Sequence, residues 1–486
     1  MKNYLAENEV KTVDFLFEYE VKNREFDAIC LMAAYLETKG YSVGFVNSWD
    51  SLFHKPTPYR ARVMVISACY DDGVYDYFCS HAVSYEKVVD LQWEQIRINK
   101  VHNGNEVLLP FSGVARRTRH VCWGRKQVEY LSKQMKIEQS CLFNGGYIPL
   151  DFYNNEMRSL LPKREQLFDK YGLDSSRKTL LFVSSFALIG LPKSEAGNDY
   201  QQEETREYIY DVTEKSQRII LEWWEQLCRE HSDIQVIYRP HPAESKNPAI
   251  QCIADRLKNF YVIADESIKK WISTCDVLYN WQSTSMIEMY ASGKPTFLLR
   301  PVHISTDYDL PYYVEGNYTE INQYKDLVES LQKSEGNVAF PIPDRDLLPI
   351  YSITDEPAYK RIGDYLIQTL FDHNYYSRPV KKTLFDMSEG ENERCDISIR
   401  IKRVLRSNHM FQVACHYIAP RMGNSTLGNR IKKIDREMIE KKKQNQVAES
   451  LDNMASKEYH MQKMYQNRAS SEEIRAQIDQ YKAILH

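Results

Sequence analysis

The feature that most constrains this chain is an alternation of apolar strands with amphipathic helices, which begins near the start of the sequence. Residues 12–17 read as a strand, residues 24–39 as an amphipathic helix, and residues 41–47 as a second strand. Gly40 follows the helix at the position where a glycine commonly ends one. A strand, a helix and a second strand in this order predict a parallel sheet, because a long crossover returns the chain to the same end of the sheet.

The same alternation continues through two series of strands. The first series adds strands at 62–67, 87–91 and 121–124, and the second has strands at 178–186, 235–238, 260–263, 277–280 and 296–299. A charged insertion is expected at about 192–213, before a long helix that ends near His231. The predicted fold class is α/β, with two Rossmann-like doubly wound domains and a helical C-terminal tail. The predicted limits are 1–155 for the first domain, 156–355 for the second, 356–380 for a crossover helix and 381–486 for a helical extension.

Composition excludes several classes of protein. The formal net charge is −4, so no overall basic field favours nucleic acid. The sequence has neither an apolar run of the ~20 residues that a membrane span needs nor an apolar leader, and its ten cysteines form no C-x-x-C pair. We therefore expect a cytoplasmic protein without a thiolate metal site. The helical tail is then available for oligomer contacts or for peripheral contact with the inner face of the membrane.

The strongest candidate for chemistry is the sequence Arg239-Pro240-His241-Pro242, directly after the strand at 235–238. Ligands of parallel α/β sheets bind beyond the carboxyl ends of the strands, where this loop lies. The prolines stiffen the loop, and a guanidinium and an imidazole can both bind phosphate oxygens. The loop therefore predicts a phosphate site in the second domain. A rigid proline turn with a surface histidine is the alternative.

A second candidate opens the helix that follows the strand at 277–280. Ser283, Thr284 and Ser285 stand at the start of this helix, where free N–H groups and the helix dipole favour anions. Glu288 lies one turn further, where a carboxylate can accept from a pair of ribose hydroxyls. A hydroxyl cap with an acidic first turn, which needs no ligand, is the alternative.

The first domain supplies the candidate acids. Glu20, Arg24 and Glu25 stand at the end of the first strand and the start of the first helix, and are expected to face the cleft between the domains. Transfer to a hydroxyl needs a carboxylate or histidine as general base, or a carboxylate nucleophile. Glu94 is the first choice, because the neighbouring Trp93 can exclude water and stack on a sugar ring, and Asp72 is the second. Helix capping and solvated turn acids are the alternatives.

In their order and spacing, these segments resemble the GT-B glycosyltransferases of bacterial surface-carbohydrate synthesis, which build capsule and O-antigen. More narrowly, the chain is similar to the CDP-glycerol glycerophosphotransferase-like group and to the CMP-Kdo and sialic acid transferases. The resemblance covers roughly residues 12–330. It rests on Glu20…Arg24-Glu25-x-Asp27, Trp123-Gly124, the segment 144–152, Ser184-Ser185-Phe186, Arg239-Pro240-His241-Pro242 and Ser283-Thr284-Ser285…Glu288.

The resemblance implies that the second domain holds the nucleotide and the first domain the acceptor. It assigns the nucleotide to Arg239, His241, Ser184, Ser185, Ser283, Thr284, Ser285 and Glu288, and catalysis to Glu94, Asp72, Glu20 and His241. These families carry an acid-acid-Gly element in the first domain. Asp71-Asp72-Gly73 matches its letters, whereas Glu94 is followed by a glutamine in place of glycine.

The expected function is glycosyl transfer from a nucleotide sugar, with CMP-linked Kdo or a nonulosonate as donor and a glycan or lipid-linked glycan as acceptor. No cofactor and no divalent metal are expected beyond the nucleotide-sugar donor. One alternative keeps the fold and transfers a polyol phosphate from CDP-glycerol or CDP-ribitol. Another is a non-catalytic glycan-assembly protein, and a UDP-sugar 2-epimerase ranks lower.

Overall fold

The computed structural model describes residues 10–48, 59–105, 111–189, 202–241, 244, 247–310, 320–333, 349–375, 378 and 468–485. In this part of the chain, two six-stranded sheets form, and neighbouring strands in each are parallel. The first sheet contains β1 Lys11–Tyr19, β2 Val43–Asn47, β3 Tyr59–Ile66, β4 Ser84–Asp90, β5 Arg119–Cys122 and β6 Leu142–Asn144. The second contains β7 Lys178–Val183, β8 Ile234–Arg239, β9 Phe260–Val262, β10 Val277–Asn280, β11 Thr296–Leu299 and β12 Glu320–Ile321.

Helices cover both faces of each sheet. Those that connect strands up to β11 are α1 Lys22–Thr38, α2 Asp72–Cys79, α3 Asn99–His102, α4 Arg125–Lys133, α5 Asn155–Arg158, α6 Arg164–Tyr171, α7 Glu203–Glu230, α8 Pro248–Arg256, α9 Ile268–Thr274 and α10 Met286–Ala291. Among the described residues beyond β11, three more helices follow, at Tyr324–Lys333, Ala358–Phe371 and Ser471–Leu485. The α/β class with two doubly wound sheets is confirmed.

Strand order puts one switch point in each sheet. The first sheet runs β2-β1-β3-β4-β5-β6, so the direction of winding reverses between β1 and β3. The second runs β12-β11-β10-β7-β8-β9, so it reverses between β7 and β10. At such a point the loops from two neighbouring strands turn to opposite faces, which leaves an open crevice at the carboxyl edge.

Alternating side chains of β1 serve the two faces of the first sheet. Phe15 and Phe17 enter the cluster that contains α1, whereas Leu16 enters the cluster on the other face with α2 and α4. All three side chains are fully buried, which is why β1 reads as a continuous apolar run. The second sheet has the same two-faced core.

Two late helices complete the α1 face of the first sheet. Ala358–Phe371 packs on α1, and the hydroxyl of Tyr35 donates to Oδ1 of Asp364 at 2.7 Å. Ser471–Leu485 also lies on α1, where Arg475 pairs with Glu37 at 2.8 Å. The first sheet is therefore covered by helices from widely separated parts of the chain.

The structure differs from the sequence prediction in the limits of several strands, in the unpredicted strand β12 and at two further places. Helix α7 begins at Glu203, so the expected insertion at 192–213 is largely replaced by helix where it is described. Strand β6 was not predicted, because three residues are too few to show a period. The domain limits stay predictions, and within the predicted extension residues 381–467 and 486 lie outside the described part of the chain. No described helix combines the length and the apolar character needed to cross a membrane.

Candidate active site

Several of the residues predicted to form a site follow strands that border the two switch points. In the first sheet, Glu20 follows β1 and Ser67 follows β3. In the second sheet, Ser185 follows β7 and Ser283 follows β10, and the backbone N–H of Gln282 joins these loops by donating to the Ser185 hydroxyl at 3.3 Å. The first crevice therefore holds the predicted Glu20 beside Ser67, which was not predicted, and the second holds the predicted Ser185 and Ser283.

Direct contacts hold the two crevices close together. The side chain of Asn23 donates to the carbonyl of Ala264 at 3.4 Å, and Nζ of Lys269 lies 2.6 Å from Oδ2 of Asp27. Asn23 and Asp27 belong to the first turns of α1, which also carry the predicted cleft residues. The amino-terminal end of α1 therefore faces the second sheet's domain.

Arg24 is the centre of a cluster of carboxylates at this end of α1. Its guanidinium donates to Oε1 of Glu94 at 2.5 Å and, through Nη2 and Nε, to Oε1 of Glu25 at 2.6 and 3.0 Å. A third carboxylate, Glu20, lies 3.9 Å away. The side chain of Glu94 is 56% exposed and that of Glu20 is 39% exposed, whereas the side chain of Glu25 is fully buried. The cleft therefore presents Glu20, Arg24 and Glu94, and Glu25 holds Arg24 from beneath instead of facing the cleft as predicted.

Glu20 titrates far from the usual range of a carboxyl group. Burial, and then the negative charge of Glu25, raise the pKa of Glu20 to about 7, with a further contribution from Glu94 and with Arg24 opposing. A carboxyl group with a pKa near neutrality is suited to exchange protons with a substrate at physiological pH. Glu20 therefore has the properties of a general base.

Glu94 behaves differently. Burial opposes ionisation, but the charges of Arg24 and Arg97, the hydrogen bond from Arg24 and the charge of His241 together hold the pKa of Glu94 below its usual value. His241 therefore lies near enough to Glu94 for its charge to lower the pKa of that carboxyl group. Since a strongly ionised carboxylate is a weak base, these charges favour Glu20 over Glu94 as the proton acceptor.

Buried groups that the sequence analysis missed support this cluster. Glu18 is 1% exposed and accepts from the backbone N–H of Ser67 at 3.0 Å, and the Ser67 hydroxyl lies 3.2 Å from Oε2 of Glu25. Burial raises the pKa of Glu18 well above its usual value. The one signal in the sequence is a glutamate within the otherwise apolar end of β1.

The loop that carries Glu94 is held by a polar network. Gln92 has a φ of 43°, which is uncommon for a residue with a side chain, and its N–H donates to Oδ1 of Asp90 at 2.8 Å. The side chain of Gln95 donates to the carbonyl of Val121 and accepts from the N–H of Trp123, both at 2.7 Å. This loop is therefore preorganised by its neighbours in the sheet.

Asp90 is in turn paired with a buried histidine. Nδ1 of His120 lies 2.8 Å from Oδ2 of Asp90, and Nε2 lies 2.7 Å from the carbonyl of Ala115. Both side chains of the pair are fully buried. Because a carbonyl only accepts, Nε2 must carry a hydrogen. The sequence analysis missed both residues.

Arg239 lies where predicted along the chain, but its guanidinium points into the protein. Nη1 donates to the carbonyl of Asp265 at 2.7 Å and Nη2 to the carbonyl of Glu266 at 2.5 Å, and the residue is 8% exposed. Burial lowers its pKa to about 10. The prediction that Arg239 clasps a phosphate does not fit this geometry, because two carbonyls and burial hold the guanidinium away from the cleft. Arg239 instead fixes the loop after β9 against the end of β8.

His241 is exposed, and a buried glutamate holds its backbone. Oε2 of Glu244 accepts from the N–H of His241 at 3.0 Å, and Oε1 accepts from the hydroxyl of Tyr238 at 2.8 Å. Ser184 is 1% exposed and bonds to the same tyrosine at 3.0 Å, so it supports the loop and is not open to a nucleotide as predicted. Glu244 was missed, although it stands three residues after the histidine.

The hydroxyl-rich start of α10 differs in detail from the prediction. Ser285 makes no side-chain cap, and α10 has only six residues. The Ser283 hydroxyl instead accepts from the N–H of Ser285 at 3.2 Å, and Thr284 is exposed. Ser283, Thr284 and Ser185 remain near the crevice surface, while the capping role does not hold.

Three further predicted residues are placed elsewhere by their contacts. Glu288 is 4% exposed and accepts from the Tyr153 hydroxyl at 3.3 Å, so it is buried and not available to a ribose. Trp93 is 6% exposed within the core of the first sheet, so it does not stack on a sugar. Asp72 pairs with Arg378 at 3.0 Å and accepts from the N–H of Val114, which gives it a structural role.

No protein-family model and no curated protein matches this chain. Solved structures with a similar architecture include a variant of the wall teichoic acid polymerase TagF, at 13% identity and a TM-score of 0.47, over 75% of this chain and 90% of that one. The S. aureus MnaA–UDP complex has 12% sequence identity and a TM-score of 0.43, over 74% of this chain and 97% of that one. The UDP-GlcNAc 2-epimerase of Methanocaldococcus jannaschii, in complex with UDP-GlcNAc and UDP, has 11% sequence identity and a TM-score of 0.45. The similarity covers 73% of this chain and 99% of that one. Nothing about the activity of this chain follows from similarities of this size.

Proposed function

We propose that this chain is a transferase that moves a group from a nucleotide-activated donor to a hydroxyl acceptor. The observation that carries the proposal is the cluster of Glu20, Glu94 and Arg24 at the cleft, in which Arg24 lies 2.5 Å from Glu94 and 3.9 Å from Glu20, whose pKa is raised to about 7. Such a carboxyl group can take the proton of an attacking hydroxyl. The adjacent cationic groups can stabilise the charge that develops on a departing phosphate.

Each side of the cleft then has a role. The donor nucleotide occupies the crevice between β7 and β10, next to Ser185 and Ser283, with its phosphate toward His241. The acceptor approaches the first sheet, where Glu20 receives its proton. Arg24 orients Glu94 and adds positive charge near the reacting groups.

For the donor, we propose CMP-linked Kdo or a nonulosonate, with a growing surface glycan or lipid-linked glycan as acceptor. Support comes from the sequence resemblance carried by His241-Pro242 and Ser283-Thr284-Ser285. A polyol phosphate from CDP-glycerol or CDP-ribitol is the alternative donor group, and a non-catalytic glycan-assembly protein is the alternative outside enzymes. We further propose a cytoplasmic location, with the tail meeting the membrane surface or another copy, and a reaction that proceeds in excess EDTA.

The proposal is tested by calorimetric titration of the full chain with CMP, CDP and UDP. His241→Ala is expected to weaken binding of the preferred nucleotide about tenfold or more, the usual loss for a charged contact to phosphate. His373→Ala, which alters an exposed histidine in the turn after the helix Ala358–Phe371, is the matched control.

Mass spectrometry of products from a panel of activated donors then separates the alternatives. A product that gains a sugar without phosphate supports glycosyl transfer, and one that gains phosphate supports polyol-phosphate transfer. Nucleotide binding without turnover of any donor would favour the assembly protein. Absence of nucleotide binding would overturn the proposal.

A further inference from the structure

The candidate base Glu20 stands in a tight turn. Strand β1 ends at Tyr19 and α1 begins at Lys22, so Glu20 and Val21 alone join them. On one side the turn is held by Glu25, whose Oε2 accepts from the backbone N–H of Glu20 at 2.7 Å. The position of the Glu20 carboxyl group therefore depends on how firmly the two ends of this turn are fixed.

Each end of the turn is bonded to the chain where the terminal helix, Ser471–Leu485, begins. The hydroxyl of Tyr19 accepts from the backbone N–H of Ala469 at 3.0 Å, and Nζ of Lys22 lies 2.6 Å from Oε1 of Glu473. Tyr19 is 2% exposed, whereas the side chains of the ion pair are 23% and 43% exposed. The hydrogen bond should therefore contribute more than the ion pair to fixing the turn.

The terminal helix is itself anchored in the core of the first domain. Ile478 is fully buried and Tyr481 is 2% exposed, and both belong to the apolar cluster on the α1 face of the sheet. The ring of Tyr481 also packs on that of Phe152, with centroids 5.8 Å apart. Because buried contacts fix the helix, the residues at its start offer the turn a rigid support.

We propose that Ala469 and Glu473 position Glu20 for the reaction. Both act through another residue, the first through Tyr19 and the second through Lys22, so they are positioning residues. Loss of either contact lets the turn move, which misplaces the base relative to the attacking hydroxyl and gives its carboxyl group more water. This inference rests on the proposed transferase function, and it adds residues from the far end of the sequence to that same site.

A double-mutant cycle in the full chain tests the hydrogen bond. Ala469→Pro removes the backbone donor, and Tyr19→Phe removes the hydroxyl that accepts from it. Each is expected to lower kcat about tenfold, while KM for the activated donor that the panel selects stays unchanged. The double variant should fall little below either single variant, because both changes remove the same contact.

Glu473→Gln tests the ion pair, with Arg475→Gln as the matched control. Each variant removes a charge that pairs the terminal helix with α1, but the partner of Arg475 is Glu37, near the opposite end of α1 from the turn. Glu473→Gln should lower kcat about threefold. Arg475→Gln should lower the melting temperature to a similar degree and leave kcat in place.

The titration of Glu20 gives a readout that does not depend on turnover. Carbon-13 NMR of labelled glutamate carboxyl groups follows this titration, and the signal that disappears in Glu20→Gln identifies it. The pKa of Glu20 is about 7 in the parent. It should fall by about one pH unit in Ala469→Pro and in Tyr19→Phe, as the carboxyl group gains water, and stay in place in Arg475→Gln. A contact that only stabilises the fold would lower the melting temperature without moving this pKa.

The outcomes also separate this inference from the proposed function. If Ala469→Pro and Tyr19→Phe keep the parent's kcat or its titration of Glu20, or if Arg475→Gln changes both equally, the positioning role is wrong and the transferase stands. If the titration moves as expected but the parent turns over no activated donor, the positioning role fails together with the transferase proposal. Should Ala469→Pro fail to fold, Tyr19→Phe and Glu473→Gln decide the question by the same two measurements.

Discussion

Lys269, at the start of α9, forms a buried ion pair with Asp27 of α1, across the junction between the two domains. Nζ and Oδ2 are 2.6 Å apart, and the side chains are 5% and 13% exposed. The ammonium group also lies 4.6 Å from the ring centre of Phe152. The charges of Lys269 and Asp27 are thus both buried only when the two domains are in contact.

Replacing Lys269 with Met is expected to lower the free energy of unfolding by about 3–5 kcal/mol, because Asp27 keeps a buried charge and loses its nearest cationic partner. Removing both charges, with Asp27→Asn added, is expected to restore most of the loss. Lys170→Met is the control, since this exposed residue pairs with Glu266 and should cost about 1 kcal/mol or less. Urea denaturation measures the free energy of unfolding of the parent, the single variant, the double variant and the control.

The pH dependence of this pair has a definite sign. Burial raises the pKa of Asp27, but the charge and hydrogen bond of Lys269, the charge of Lys270 and a hydrogen bond from Ser267 together outweigh burial, so the folded-state pKa lies below the usual value of 3.8. The stabilisation is therefore complete above that value and lost as the pH falls through the lowered pKa. Equal pH dependence in the parent and in Lys269→Met would contradict the pairing.

The pH profile of turnover should report Glu20. Because its pKa is about 7, the rate is expected to rise with pH through that value as the base loses its proton. Glu20→Gln should remove this rising limb of the pH–rate profile. Glu94→Gln should move the limb to lower pH, because the charge of Glu94 helps to raise the pKa of Glu20. Glu86→Gln, an exposed carboxylate on β4, should leave it in place, and persistence of the limb in Glu20→Gln would identify another group.

The Asp90–His120 pair should matter for stability and for turnover. Asp90→Asn is expected to cost about 3–5 kcal/mol, since one partner of a fully buried pair is lost. It also weakens the anchor of Gln92, so turnover should fall while nucleotide binding is kept. Denaturation, calorimetry and donor turnover test these three points, with Glu138→Gln as an exposed control. Loss of nucleotide binding would show that the pair acts beyond its own loop.

Gly363 should resist a substitution that usually stabilises a helix. Alanine is ordinarily better than glycine within a helix by about 1 kcal/mol. Here a Cβ atom would lie 2.5 Å from Cδ1 of Tyr35, whose ring is tied to Asp364. Gly363→Ala is therefore expected to lower the melting temperature, since overpacking costs about 1–3 kcal/mol. Gln368→Ala, on the exposed side of the same helix, should leave it nearly unchanged.

The strands and helices followed from the sequence because their residues carry the period of the structure. The strand at 277–280 and the helix at 268–274 match the prediction, since buried parallel strands are continuous apolar runs and helices repeat every 3.6 residues. The carboxyl ends of the strands also located the loops that hold Glu20 and His241. The positions of these loops along the sequence were therefore enough to predict where much of the candidate site lies.

The direction of each side chain did not follow from the sequence. Arg239, Glu288 and Trp93 stand after strands, as ligand-binding residues do, yet all three are buried by contacts with distant segments. Glu18 and His120 were missed for the converse reason, because a buried polar residue is recognised only by its partners. The fold brings these partners together from distant parts of the sequence, so no local sequence pattern predicts them.

The helices on α1 have a consequence for the order in which this protein takes shape on the ribosome. When the six strands of the first sheet have been synthesised, one face still lacks Tyr359, Leu366, Ile478 and Tyr481, which complete its core. That face stays incompletely covered while more than 300 further residues are translated, as the positions of β6 and of Ser471–Leu485 require. Of the two sheets, the one that is synthesised earlier is thus completed later.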